Sequence, residues 1–193
     1  MGRRKRIGDD ELLAVAREVF VERGVAASTR EIARRAGCSE AVLYQRHGTK
    51  IDLFLRAMAP PALDVEALLD APADAHGPRA HLEAIALGML DYFRRLAPVL
   101  QPLLSDPEFD FEAFARRHPD APLQRMRAGL MATLERMQAR GELRPQPIAP
   151  AALTLFAAIH SLALFERMGA HGGRFDEATV RGMVGALWDG LAP

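Results

Sequence analysis

The sequence is poor in features that mark secreted or membrane-spanning proteins. Its single cysteine, Cys38, excludes an intramolecular disulfide and suits a reducing compartment. The basic start MGRRKR is followed by Ile-Gly-Asp-Asp-Glu and not by the apolar segment of a secretion signal. One uncharged segment, residues 148–165, is near the lower length limit for a membrane span but contains proline, threonine, histidine and serine. We therefore expect a cytoplasmic protein without a membrane span, in which that segment is a helix buried within protein.

The chain also lacks net charge, since 25 Lys and Arg residues balance 25 Asp and Glu residues. The distribution is more informative than the total. Residues 1–56 contain 12 basic and 8 acidic residues, whereas residues 57–193 contain 13 basic and 17 acidic residues. A basic amino-terminal part joined to an acidic remainder is typical of a protein that meets a polyanion with one end only.

Motifs of catalysis and cofactor binding are missing as well. The sequence has no phosphate-binding loop, dinucleotide fingerprint or nucleophile motif. Its histidines lack the i, i+4 spacing of helical metal ligands, and residues 79–193 have no paired carboxylates. We predict no enzyme, and therefore no catalytic residues, cofactor or metal.

What the sequence does contain is helical periodicity almost throughout, which predicts an all-α fold. Four short helices are expected first, beginning near residues 9, 30, 40 and 50. Prolines 60 and 61 and the Pro/Ala/Asp/Gly stretch 71–78 indicate a boundary, so we predict one domain at 1–56 and a second at 57–193. In the second domain, proline starts and glycine ends predict helices at 79–96, 98–105, 122–140, 150–169 and 176–191.

Three short helices with a glycine turn between the second and third form a helix-turn-helix, in which the third helix enters the major groove of DNA. Val42 and Leu43 would face inward and anchor that helix, and its polar side chains would face outward. The predicted DNA contacts are Arg4, Thr29, Arg30, Ser39, Glu40, Ala41, Tyr44, Gln45, Arg46, His47 and Lys50.

Within this group, the chemistry of each side chain predicts its target. Gln45 can pair with adenine, Arg46 with guanine or a phosphate, and Ala41 can touch a thymine methyl group. Thr29, Tyr44 and Lys50 carry hydroxyl or ammonium groups that suit phosphates, which set the register without specifying sequence. The basic arm with Arg4 could lie along the backbone or in the minor groove, or could be solvated charge.

Two residues near the turn have open roles. His47 lies four residues after Leu43, on the inward face, and is either a partly buried neutral ring bonded to the backbone or a charged contact to phosphate. Cys38 is either a small packed hydrophobe or a redox sensor.

The block Leu12–Leu55, with "AREVFVERG", "TREIARRAGCS", "AVLY" and "GTKIDLF", resembles the DNA-binding domain of the TetR family of transcriptional regulators. The resemblance lies in the ordered combination of these motifs. It implies a homodimer whose second domain binds a small ligand, and release of operator DNA when the ligand spreads the two recognition helices. The chain departs from the family at His47, where Phe is usual, and in a slightly shorter stretch between Gly24 and Ile32.

The last two helices suggest how such a dimer would form. Between Leu153 and Phe165 apolar residues cover nearly the whole circumference, so that helix must be buried on two sides. Pairing both helices with their copies gives a four-helix interface, and an ordinary monomer core is the alternative. The predicted interface residues are Leu153, Ala157, Leu164, Val180, Val184, Leu187 and Trp188.

The middle helices supply aromatic and flexible apolar side chains, which favour a pocket for a hydrophobic small molecule, although each could simply be core. The predicted pocket residues are Met89, Tyr92, Phe93, Leu104, Met126, Leu130, Phe156 and His160. The sequence thus predicts a ligand-responsive dimeric regulator, with repression expected, that binds a palindromic operator through residues 39–47. The alternatives are a constitutive architectural or partner-binding protein and a helical enzyme with a DNA-binding module.

Overall fold

The computed structural model describes residues 7–58, 64–69, 77–106, 109–170 and 172–191. Within these ranges the chain is helical and contains no β-strand, which confirms the all-α fold class. The helices are α1 (Asp9–Arg23), a 3-10 turn (Gly24–Ala26), α2 (Thr29–Arg35), α3 (Glu40–His47), α4 (Lys50–Met58), α5 (Val65–Leu69), α6 (Gly77–Leu104), α7 (Phe111–Arg117), α8 (Pro122–Ala139), α9 (Ile148–Met168) and α10 (Glu177–Asp189).

The described residues form two compact units. The first comprises residues 7–58 with 99–106 and 109, and the second comprises 64–69, 77–98, 110–170 and 172–191. The predicted domains at 1–56 and 57–193 placed the end of α6 in the second unit. Val99 and Leu103 are instead buried in the core of the first unit, because their apolar side chains pack with the helices of that unit.

Helix α6 also differs from its prediction. Pro98 was expected to begin a new helix, but α6 continues through Pro98 and Pro102 to Leu104. An interior proline removes one backbone hydrogen bond and costs roughly 3 kcal/mol. Burial of the apolar side chains around it, among them Leu96, Val99 and Leu103, offsets that cost and keeps the helix intact.

The core of the first unit follows the predicted stripe of α1. Leu12, Ala16, Val19 and Phe20 are buried as expected, and α1 packs against α4. The ring of Phe20 meets that of Phe54 edge to face, with 4.9 Å between centroids. This aromatic pair holds α1 against α4. The shorter helices α2 and α3 pack against α1 and α4, respectively.

The amino ends of the short helices lie where the sequence predicted them, but α2, α3 and α4 are capped in different ways. Ser28 and Ser39 occupy the N-cap positions of α2 and α3, yet neither hydroxyl makes a capping hydrogen bond. At α4 the cap is reciprocal: the Thr49 amide donates to the Asp52 carboxylate (2.8 Å), and the Asp52 amide donates to the Thr49 hydroxyl (3.2 Å). This capping box fixes the start of α4 directly after α3.

In the second unit a partly buried ion pair joins α6 to α9. The Arg94 guanidinium donates to both carboxylate oxygens of Glu166, at 2.8 and 2.6 Å, and to the Phe175 carbonyl at 2.8 Å. Glu166 also accepts from the Phe175 amide. The pair therefore ties the loop between α9 and α10 to α6, and the Arg94 guanidinium holds the pKa of the Glu166 carboxyl below its usual range.

Removing this guanidinium should destabilise the second unit strongly, because the Glu166 carboxylate, whose side chain is 7% exposed, loses its cationic partner. We expect Arg94→Ala to lower the free energy of unfolding by about 3 kcal/mol. The matched control is Arg95→Ala, which removes only an exposed i, i+4 pair with Asp91 and should cost about 0.5 kcal/mol or less. Chemical denaturation followed by Trp188 fluorescence measures both, and equal losses would contradict this role of Arg94.

Candidate nucleic-acid interface

Helix α3 has one buried side and one exposed side. Leu43 and His47 are 2% and 3% exposed, and the helix packs against α2 and α4. The opposite side presents Ala41, Tyr44 and Gln45 to solvent. An eight-residue helix held in this way offers its outward side chains at fixed positions, which is what a recognition helix requires.

The turn before α3 is set by Gly37, whose φ of 66° lies in the left-handed region that favours glycine. The Cys38 amide donates to the Ala33 carbonyl at 3.0 Å, which satisfies one of the last carbonyls of α2. Cys38 is partly buried and packs against the core of the first unit. Its surroundings favour the packing role over the redox role.

Thr29 is placed differently from its prediction as a phosphate contact. It is 8% exposed, and its hydroxyl donates to the Glu40 carboxylate at 2.7 Å and lies 3.1 Å from the Tyr44 hydroxyl. The side chain thus links the start of α2 to α3. Because the hydroxyl is buried and already bonded, Thr29 does not present it to a phosphate.

Arg46 is likewise engaged within the protein. Its guanidinium donates to the Ile7 carbonyl at 2.8 Å and to the Asp9 carboxylate at 3.1 Å. The predicted contact with guanine or phosphate is therefore not available while these bonds persist. Arg46 instead holds the segment that precedes α1 against the recognition helix.

His47 is buried, and both interpretations of it need correction. Neither ring nitrogen has a hydrogen-bond partner among the described residues, so the ring is not bonded to the backbone and does not reach the surface where phosphates would lie. Burial, followed by the cations of Arg56 and Arg46, lowers the pKa of His47, while Asp9 opposes the shift. The ring is therefore a neutral packing element in place of a core aromatic.

Cationic side chains remain around the exposed side of α3. Arg30 is exposed and Lys50 is half-buried at the first turn of α4, so both could reach a phosphate backbone. Arg4 lies outside the described residues. Arg35 is not one of these cations, because its guanidinium donates to Glu22 and Glu31. These bonds join α1 to α2, and the Arg35 guanidinium lowers the pKa of the Glu22 carboxyl.

Seven of the eight predicted pocket residues belong to the second unit, in which the rings of Tyr92, Phe156 and His160 contact that of Phe93 and form the Phe93 cluster. The ring centroid of Phe93 lies 5.5 Å from that of Phe156 and 5.1 Å from that of His160. Met89, Met126 and Leu130 are buried, as is Tyr92. Leu104 does not belong with them, because it lies in the first unit and is 58% exposed.

A surface groove of about 350 Å³ lies elsewhere in the second unit, between the start of α9 and the end of α10. Pro150, Thr154 and Leu187 line it. Its lining contains none of the predicted pocket residues. In the part of the chain that the structure describes, no group of three or more His, Cys, Asp or Glu side chains could hold a metal ion.

The predicted dimer residues divide into two sets. Leu153 and Leu164 are 62% and 38% exposed, and Ala157 is exposed between them. Leu187 and Trp188 are half-buried. Val180 and Val184 are fully buried, so their assignment to a subunit surface is wrong: they face the core of their own unit.

Sequence similarity to known proteins lies in the first unit, whereas structural similarity covers both units. Residues 12–57 match the family model described as bacterial regulatory proteins, tetR family. The amino-terminal domain belongs to the TetR family. Over 49 residues the chain is 51% identical to the HTH-type transcriptional activator FasR of Mycolicibacterium smegmatis, an alignment that spans 25% of this chain and 22% of that protein. Helix-turn-helix architecture, DNA binding and transcriptional regulation are the properties of the matched family.

Solved TetR-family structures resemble the whole chain. A Mesorhizobium loti protein classed with TetR-family regulators superimposes with a TM-score of 0.70 over 96% of each chain, at 20% identity. NalD of Pseudomonas aeruginosa, described as the secondary repressor of the MexAB-OprM multidrug efflux pump, gives a TM-score of 0.62 over 94% of each chain, at 23% identity. At these identities the likeness concerns the fold, which therefore extends through both units.

The buried His47 of the TetR domain predicts acid sensitivity. Because its folded pKa is lowered, the unfolded chain takes up the proton first as the pH falls below about 6.5. Stability should decrease through that window and level off below the folded pKa. His47→Phe should remove this component and, by removing two unpaired buried nitrogens, stabilise the domain by about 1–3 kcal/mol.

Hydrogen exchange of the α4 amides, corrected for the intrinsic effect of pH, measures this locally. His118→Phe, a change at a half-buried histidine of the second unit that stacks on Phe114, is the control and should leave the α4 profile unchanged. Parallel pH profiles for the wild-type protein and His47→Phe would show that His47 is not the sensitive group.

Proposed function

We propose that the protein is a dimeric transcriptional regulator that binds a palindromic operator through α3 and leaves it when a hydrophobic small molecule binds the second unit. The observation that carries this proposal is the arrangement of α3, whose inner side is buried and whose outer side is polar. Repression by occlusion of a promoter is the proposed mode. A regulator of this kind needs no catalytic activity and acts in the cytoplasm, where the DNA is.

The exposed side chains of α3 supply the contacts to bases. Gln45 can pair with an adenine edge, and Ala41 can touch a thymine methyl group. Ser39 is exposed at the amino end of the helix, where backbone amides also favour a phosphate. Arg30 and Lys50 would neutralise phosphates on either side and so fix the register.

A second copy of the chain accounts best for the exposed face of α9. The buried side chains of α9, among them Leu155 and Ile159, cover one side of the helix. Leu153, Ala157, His160, Leu164 and Met168 recur at intervals of three or four residues and are exposed on another side. By length and composition α9 could cross a membrane, with a mean hydropathy of 1.9, a property that core helices of soluble proteins share. An isologous pairing would bury this stripe and place two recognition helices on one DNA.

Ligand response is proposed from the Phe93 cluster. Its rings are largely apolar, and the second unit also buries the flexible apolar side chains of Met89, Met126 and Leu130, so a hydrophobic molecule is the expected effector. Such a ligand releases DNA only if it binds the DNA-incompetent arrangement of the dimer more tightly than the competent one. NalD, which shares the fold, is named for repression of an efflux pump, and FasR is named as an activator. Measuring promoter output with and without the protein decides between the two modes.

Two substitutions test which contacts specify sequence. Gln45→Ala removes an exposed base contact and should relax preference at one position of each half-site by about 1–3 kcal/mol. Lys50→Ala removes a phosphate contact and should weaken binding uniformly across sequences, with a smaller dependence on salt. Footprinting and competition with mutated operators measure both effects. Unchanged footprints in both variants would mean that α3 is not the recognition helix.

A third substitution tests the dimer. Leu164→Glu places a charge on the exposed α9 stripe and should convert the dimer to a monomer, because two desolvated carboxylates would face each other. Met131→Glu on α8 is the matched control, since Met131 is 39% exposed and Leu164 is 38% exposed. Sedimentation equilibrium should show a monomer only for Leu164→Glu, with helicity retained in both. A dimer that survives Leu164→Glu would exclude this face.

A further inference from the structure

A shared hydroxyl connects two side chains of the recognition helix. Thr29, at the start of α2, donates its hydroxyl proton to Oε1 of Glu40 at 2.7 Å, and its oxygen lies 3.1 Å from the Tyr44 hydroxyl. Glu40 and Tyr44 are four residues apart on α3 and therefore share a face. Thr29 is 8% exposed, so this connection is shielded from water on its inner side.

The number of protons decides the direction of both bonds. A carboxylate can only accept, so the single proton of the Thr29 hydroxyl points to Glu40. Tyr44 must then donate its own proton to the Thr29 oxygen. Its phenol oxygen keeps only lone pairs for a further partner. Oε2 of Glu40, which has no other partner among the described residues, is also an acceptor.

Glu40 and Tyr44 therefore present acceptors and no donor. A phosphate oxygen needs a donor, so neither side chain suits the DNA backbone in this state. In the major groove, cytosine N4 and adenine N6 are the amino groups that an acceptor can recognise, whereas guanine O6 and thymine O4 are themselves acceptors. Tyr44 is 46% exposed, so part of its side chain is accessible to DNA.

We propose that Glu40 and Tyr44 select a base with a major-groove amino group, cytosine or adenine, and that Thr29 is the positioning residue that sets their hydrogen-bond direction. This inference rests on the proposed DNA-binding function and adds the chemistry of the base that is recognised. It also reverses the role of Tyr44 from a phosphate contact to a base contact.

The test uses the full-length protein and an operator obtained by selection from random duplex DNA. In each half-site, cytosines are replaced one at a time by 2-pyrimidinone and adenines by purine, which removes only the exocyclic amino group. At one position this change should weaken the wild-type protein about tenfold. Glu40→Ala and Thr29→Val should lose most of that discrimination, because the first removes an acceptor and the second releases the Tyr44 proton. Thr29→Ser, which keeps the hydroxyl, should restore it.

The outcomes separate the inference from the function on which it rests. If the wild-type protein selects no sequence, the proposed function fails and the inference fails with it. If it selects an operator but amino-group removal weakens wild type, Glu40→Ala and Thr29→Val equally at every position, only the inference is overturned. Circular dichroism shows whether each variant is folded, and Thr29→Val tests the same bonds if Glu40→Ala is not.

Discussion

The burial of the inner side of α3 fixes the positions of the polar side chains on its outer side. Eight residues are too few to form a stable helix alone in water, because helix nucleation costs more than so few hydrogen bonds return. Leu43 and His47 supply the missing stability by packing into the core formed around α1 and α4. The polar side chains opposite them gain fixed positions only through that packing.

The same packing explains why some polar residues of this domain are not free for DNA. A short helix between two others needs polar ties as well as apolar contacts, and the Thr29 hydroxyl and the Arg46 guanidinium provide them. Their bonds determine what the neighbouring side chains can still offer. Glu40 and Tyr44 can then only accept further hydrogen bonds. The bonds that hold α3 in place therefore also limit which bases these two side chains can recognise.

Sequence periodicity predicted those parts of the fold that depend on local patterns. The stripe of α1 and the turn at Gly37 follow from residue spacing. The prediction that α9 is buried on two sides was wrong for this chain alone, because Leu153, Ala157 and Leu164 are exposed. Partners distant in sequence were beyond that approach: Arg46 bonds to Asp9, 37 residues away, and Arg94 to Glu166, 72 residues away. The prediction that a helix begins at Pro98 was wrong, because the burial of apolar side chains on α6 outweighed the local cost of the proline. The assignment of Val180 and Val184 to the dimer interface was wrong, because an apolar helix face does not reveal whether its own core or another subunit covers it.

If α3 discriminates between DNA sequences, the protein binds its operator more tightly than it binds random DNA. The affinity of the full-length protein should be measured at one salt concentration for its selected operator and for random DNA of equal length. Specific regulators bind their sites roughly 1,000-fold or more tightly than random DNA. We expect a ratio of that order, with half-sites related by dyad symmetry. Equal affinity for both DNAs would show that α3 does not discriminate between sequences.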